Sequence, residues 1–249
     1  MLQFLKKIKG VEMANILITG ASRGIGKSIA KLLSYENNVF ITARNEELLS
    51  SLSKEIKALS LPCDLCEDIS KLKEFILNNK IDVLVNNAGE YEYSSTDDMK
   101  DENIERILKV NLEIPIKLSK ICIPYMKKKK WGRIINIGSI SGVMGEAYAS
   151  VYSASKAGLI GLSKSLALEL AEYGITVNTI NPGWVETDLG KSSIEDSDFS
   201  LEETLEIIPQ KRFVQPIEVA ELVKYLLSDK AKGITGQSIN LCAGLSVGI

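Results

Sequence analysis

Residues 15–30 read NILITGASRGIGKSIA, and the fold turns on them. "NILIT" is a short apolar run rich in β-branched residues, the composition of a buried strand. Gly20, Gly24 and Gly26 follow at once, and "KSIA" opens a helical pattern. A glycine turn between strand and helix is where helix N-terminal amides meet a dinucleotide's pyrophosphate. Glycine is needed because a side chain would hold the backbone away from the phosphate. The spacing is G-x-x-x-G-x-G, not the commoner G-x-G-x-x-G, so the strand–turn–helix context carries the reading.

The same alternation runs outward through the chain. Apolar runs at 15–19, 38–42, 59–63, 81–87, 132–138, 175–181 and 238–241 read as strands. Most are continuously apolar, as strands covered on both faces should be. Helical patterns fill 24–35, 46–58, 67–79, 101–130, 151–173 and 216–228, the fifth stopped by Gly174 and the last opened by Pro216. The expectation is an α/β fold: a single-domain, Rossmann-type doubly wound sheet of seven parallel strands with helices on both faces. Residues 1–12 read as an N-terminal extension, 13–249 as one domain. The polar stretch 187–210 reads as an irregular, lid-like loop or a plain solvated connection.

Composition narrows the function classes. A formal charge of −2 gives no overall pull toward nucleic acid. No apolar run approaches the roughly 20 residues of a membrane span. The start lacks the pattern of a secretory signal, so the expectation is a cytoplasmic protein. Cys63 and Cys66 form a C-x-x-C, but the chain has no histidine and no second nearby pair to complete a zinc site, so the metal expectation is none. Structural, reduced thiols are the expectation.

Tyr152 and Lys156 stand four apart in "YSASK" and share a helical face. In a chain without histidine they offer an acid–base pair. The lysine's charge is expected to lower the phenol from its usual value near 10. Ser139, just past the fifth strand, offers a short donor for a carbonyl oxygen. Where an acidic residue ending the second strand would select NAD, this chain has Arg44, with Arg23 in the glycine turn. Both can hold a 2′-phosphate, which favours NADP(H). Asp64 either meets the adenine amino group or caps a helix.

Taken with "TGASRGIG", "NNAG" (86–89), "KVNL" and "NPGWVET" (181–187), the chain resembles the short-chain dehydrogenase/reductase family over essentially its whole length. The resemblance implies a catalytic set of Asn111, Ser139, Tyr152 and Lys156: a water-holding asparagine, a carbonyl-steadying serine, a tyrosine acid/base and a ribose-binding lysine. It also implies a cofactor groove of Gly20, Ser22, Arg23, Gly24, Ile25 and Gly26, with Arg44, Asp64 and Leu65 at the adenosine end. Asn87, Ala88 and Gly89 line its middle, and Pro182, Gly183, Val185 and Thr187 wrap the nicotinamide. The asparagines of "NNAG" have a plain structural reading as well.

Within the family the resemblance is greatest to bacterial 3-oxoacyl-[acyl-carrier-protein] reductases, through "KKKKWGRIINIGSISGVMG" and "SKAGLIGLSKSLALELAEYGITVN". It implies reduction of a small-molecule or carrier-bound carbonyl, with acyl carrier protein as a candidate partner and a homotetrameric assembly. Lys127–Lys130 with Arg133 could meet an acidic carrier at the pocket mouth, or simply satisfy a helix C-terminus. Tyr173 stands where a docking arginine is expected, and 187–210 is acidic. A reductase of free ketones, sugars, steroids or polyketide intermediates, and a non-catalytic NADP-binding sensor, are the alternatives. Trp184, Tyr148 and Met144 are expected to shape the pocket.

Overall fold

Each apolar run becomes a strand in the computed structural model, which describes residues 13–195 and 200–247. The strands are β1 (Asn15–Thr19), β2 (Asn38–Ala43), β3 (Leu59–Pro62), β4 (Val83–Asn86), β5 (Gly132–Ile137), β6 (Ile175–Pro182) and β7 (Ser238–Leu241). All pair in parallel in one sheet, ordered β3-β2-β1-β4-β5-β6-β7. The order reverses between β1 and β4, and the glycine turn leaves β1 at that switch point, where open α/β sheets bind ligands.

Alternation along β1 sorts the core into two layers. Ile16 and Ile18 pack with Ile29, Leu49 and Val219 on one face. Leu17 packs with Leu72, Leu118 and Leu170 on the other. The first layer lies under helices α1 (Gly24–Ser34), α2 (Glu46–Ile56) and α10 (Pro216–Leu227). The second lies under α3 (Ser70–Asn79), α5 (Ile114–Lys129) and α7 (Ser150–Leu170). Each fully buried aliphatic side chain contributes about 1.5–3 kcal/mol, so these layers hold the helices against both faces of the sheet.

The helix boundaries have local causes. Asn45 caps α2 by accepting from the Leu48 amide. Pro216 sits at the first turn of α10 behind a Gln215–Glu218 capping box. Gly174 adopts φ +70°, and a Cβ there would lie 2.8 Å from the Lys130 carbonyl oxygen, so the stop after α7 requires glycine.

Three segments differ from expectation. The pattern at 101–130 is not one plain helix: α4 (Asp101–Leu108) joins α5 through a π-helical turn, Lys109–Glu113. Helix α3 starts at Ser70, not 67, because Asp68 accepts from the Ser70 amide and hydroxyl. The polar stretch 187–210 holds two helices, α8 (Asp188–Glu195) and α9 (Leu201–Ile207), the latter capped by Ser200 and Glu203. Its polarity hid that reciprocal cap from a reading by apolar period alone. Residues 1–12, the expected extension, lie outside the described residues, as do 196–199.

The tightest point is the glycine turn. A Cβ on Gly26 would lie 2.5 Å from both the Gly20 carbonyl oxygen and the Asn87 Nδ2. Gly26→Ala is therefore expected to cost about 1–3 kcal/mol and several degrees of melting temperature. A melt indistinguishable from the parent protein would remove this packing role.

Candidate active site

The carboxyl ends of β1, β4, β5 and β6 open into a cleft of about 750 Å³. Ser139 follows β5 directly. Tyr152 and Lys156 occupy the first turns of α7, which short helix α6 (Ser141–Met144) precedes. All three side chains line the cleft. Lys156 is 3% exposed, donates to the Ile137 carbonyl oxygen at 2.9 Å, and lies 5.5 Å from the Tyr152 ring centre. Burial pushes Lys156 down to about 8.

The phenol departs from expectation. Tyr152 is pushed up to about 12, first by desolvation, with the Glu146 charge adding and a hydrogen bond with Ser139 opposing. The expected lowering by lysine is absent: desolvation of the ring is the largest cause, and the Lys156 ammonium is engaged by the Ile137 carbonyl. The group is a proton donor in this state, not a ready base.

Asn111 does not line the cleft. The π-helical turn brings it inward, 1% exposed. Its Nδ2 donates to the Glu90 carbonyl at 2.8 Å and to Ser155 Oγ at 3.1 Å, and its Oδ1 accepts from the Glu90 amide at 2.8 Å. Asn111 thus clamps the backbone that follows "NNAG".

The expected cofactor residues gather along the same cleft, except Gly26, which lies behind it in the α1–β1 contact. Gly20 adopts φ +64°, and a Cβ there would sit 2.8 Å from Ala88 Cα; Gly24 adopts φ +55° beside Thr187. Asn87 donates from Nδ2 to the Thr19 and Gly20 carbonyls at 2.9 and 3.1 Å, bracing the turn, so its plain structural reading holds alongside its place in the groove. Asp64 does not cap α3. Its Oδ1 accepts from the Cys66 amide at 2.8 Å within a turn that presents Asp64 and Leu65 to the cleft. Cys63 and Cys66 are free thiols, both raised by burial and by Asp64, a setting that suppresses thiolate chemistry. No group of potential metal ligands occurs among the described residues.

Several cleft residues carried no signal in the sequence. Glu90, 14% exposed in its side chain, pairs with Arg44 at 2.7 Å and Arg106 at 3.9 Å. Tyr91 stands edge-on to Tyr152, ring centres 5.0 Å apart. Ser141 and Glu146 join it. Their only hint was position, next to "NNAG" and between Ser139 and Tyr152. Trp184, Tyr148 and Met144 line the cleft as expected.

The basic run is elsewhere. Lys127–Lys130 ends α5 at the amino edge of β5, the opposite edge of the sheet from the cleft. Lys129 pairs with Asp82 at 2.7 Å and Lys127 lies over the Tyr173 ring. Arg133 is 1% exposed and donates to the Gly132 and Gly174 carbonyls. Within one chain these cations close a helix end and do not rim the pocket mouth.

Fold and cleft together define a Rossmann-type dinucleotide-binding oxidoreductase. The chain belongs to the short chain dehydrogenase family, whose model matches residues 14–198. It is 40% identical to the 3-oxoacyl-[acyl-carrier-protein] reductase FabG of Rickettsia conorii over 92% of this chain and 95% of that protein. It is 39% identical to a putative ketoacyl reductase of Streptomyces coelicolor, covering 92% and 95%. Among solved structures, an actinorhodin polyketide ketoreductase variant with NADPH matches with TM-score 0.90 and 36% identity, over 94% of this chain and 98% of that one. YwfH, an NADPH-dependent reductase involved in bacilysin biosynthesis, matches with TM-score 0.90 at 28% identity, over 96% and 100%.

Proposed function

We propose that this protein reduces a carbonyl to a secondary alcohol with NADPH, and that its leading substrate is the 3-oxo group of a 3-oxoacyl-[acyl-carrier-protein]. The observation that carries the reading is the convergence of Ser139, Tyr152 and Lys156 on a cleft floored by the glycine turn. The residues fit the cofactor. A Cβ at Gly20 would collide with Ala88, so only glycine lets the turn close against the strand beside the cleft; Arg23 and Arg44 line the end of the cleft that would take the adenosine phosphate. Asp64 and Leu65 line the end of the cleft that would take the adenine, and Gly183, Val185 and Thr187 the end that would take the nicotinamide.

When bound, the reduced nicotinamide supplies the hydride; the chain supplies orientation and the proton. Ser139 steadies the carbonyl oxygen. Tyr152 gives its phenolic proton to that oxygen as negative charge develops on it, a step suited to a group that stays protonated to about 12. Lys156 would hold the cofactor ribose, and it keeps a positive charge beside the ring. Asn111 fixes the Glu90 backbone, and with it the wall beside Gly89.

Lys156 at about 8 sets an expected pH dependence. Above that value the amine loses its proton, and with it the charge beside Tyr152. Turnover is expected to fall on an alkaline limb near pH 8, and a rate flat from pH 6 to 10 would contradict the role given to Lys156.

Arg44 carries cofactor choice. Arg44→Asp is expected to weaken NADPH binding by at least about tenfold, one bidentate charge-assisted contact being worth roughly 1.5–3 kcal/mol, and to shift preference toward NADH. Unchanged NADPH affinity by titration would refute the role.

A free, uncharged ketone is the second reading, favoured by Glu146 and Asp188 in the cleft wall and by the basic run at the far sheet edge. NADPH consumption with acetoacetyl groups on carrier protein, on coenzyme A and as the free ester separates the two. Equal rates on the free ester and the carrier would favour the second. Assembly as a homotetramer through α5 and α7 is supported by Leu168, 85% exposed on α7, and by exposed Ile116 on α5. A cytoplasmic setting accords with the free thiols and with the absence, among the described residues, of a helix long and apolar enough to cross a membrane.

A further inference from the structure

Glu146 lies in the segment between α6 and α7, and each of its carboxylate oxygens is engaged. The Tyr91 hydroxyl donates to Oε1 at 2.9 Å and the Ser141 hydroxyl to Oε2 at 2.6 Å. An ionised carboxylate only accepts, so the direction of both bonds is fixed. Ser141 has one hydroxyl hydrogen, and Glu146 takes it. In the 2.9 Å contact between the Ser139 and Ser141 hydroxyls, Ser139 must therefore be the donor. Ser139 Oγ also accepts from the Ser141 amide at 3.1 Å. The Ser139 hydrogen that favours the Tyr152 phenolate therefore has a competing acceptor in Ser141. On the other flank, the Tyr91 ring that Glu146 holds stands edge-on against Tyr152.

We infer that Glu146 is a positioning residue: through Ser141 and Ser139 on one side and Tyr91 on the other, it keeps the Tyr152 phenol protonated and ready to donate. This rests on the reductase reading of the same cleft, because it assigns Tyr152 the proton to be given. Groups facing Tyr152 come from four segments: Lys156 on α7, Ser139 after β5, Tyr91 after β4, and Glu146 itself. Lys156 favours the phenolate and is opposed by Glu146 in two ways, by its charge and by leaving Ser141 as a competing acceptor for the Ser139 hydrogen. Glu146 adds to the upward displacement of Tyr152 and of Tyr91.

The test is a titration of Tyr152 by NMR in protein labelled with [¹³Cζ]tyrosine, the resonance assigned by its loss in Tyr152→Phe. This readout needs no substrate, so it stands or falls separately from the reductase reading. Glu146→Gln removes the charge and leaves one acceptor oxygen where the carboxylate had two, and is expected to move the Tyr152 titration down by on the order of one pH unit. Glu146→Asp keeps the charge and should stay near the parent protein. An unmoved titration in folded Glu146→Gln overturns the inference, as does an equal shift in both variants. Should Glu146→Gln fail to fold, Ser141→Ala cuts the link to Ser139 while leaving the charge. Its Tyr152 titration is expected to move down from that of the parent protein, because Ser139 is freed to donate to the phenolate oxygen; an unmoved titration overturns the inference.

Discussion

Tyr152→Phe is expected to keep its fold and its NADPH affinity and to lose about 10²–10⁴-fold in carbonyl reduction, the span a positioned general acid contributes. The substitution removes one oxygen. The ring remains to pack edge-on against Tyr91, and Lys156 keeps its bond to the Ile137 carbonyl. Binding energy and catalysis should therefore separate cleanly: cofactor titration unchanged, turnover nearly gone. A variant retaining a third of the parent rate would show that the proton comes from elsewhere, and the assignment of the whole cleft would fail with it.

Lys156→Met should also lose at least about 10²-fold in turnover, and it should bind NADPH more weakly, because the ribose contact and the adjoining charge go together. Its stability is expected to move the other way. Lys156 is an almost fully buried cation that donates to the Ile137 carbonyl and faces no carboxylate at hydrogen-bond distance among the described residues, and an apolar side chain of similar length avoids the desolvation cost. At pH 7 the variant should melt at or above the parent temperature. The pH dependence follows from a folded value of about 8 against an ordinary 10.5. Between those values the unfolded chain binds the extra proton, so this group's contribution to stability rises as pH rises through the window. The advantage of Lys156→Met should therefore shrink from pH 8 to 10.5. Melting curves at both ends read it, and a widening gap would contradict the buried-cation account.

Much of this architecture was legible in the residues because it depends on local rules. Continuous apolar runs between helical patterns left a parallel sheet as the economical solution, and all seven strands lie where those runs are, within two residues at each end. The glycines were legible for a steric reason: nothing larger fits 2.5–2.8 Å from backbone atoms of the turn. The start of α10 at Pro216 and the stop at Gly174 followed from single residues. The two helices at 187–210 escaped because their ordering rests on a reciprocal cap and on packing against the cleft, which a count of apolar spacing does not register. The basic run kept two readings, pocket mouth or helix end, for a different reason. Its spacing gave charge, but only the sheet says which edge a helix end occupies.

The sequence by itself determined the sheet, the phosphate-cradling turn and the four residue types at Asn111, Ser139, Tyr152 and Lys156, since each follows from backbone sterics or from motifs read along the chain. Tertiary structure alone decided what those groups are in their surroundings. It dried Tyr152 until its proton is held rather than released, turned Asn111 through a π-helical turn onto Glu90, and set Glu146 where it directs two serine hydroxyls. Desolvation and hydrogen-bond direction are sums over neighbours far apart in sequence, and only the folded chain brings those neighbours together.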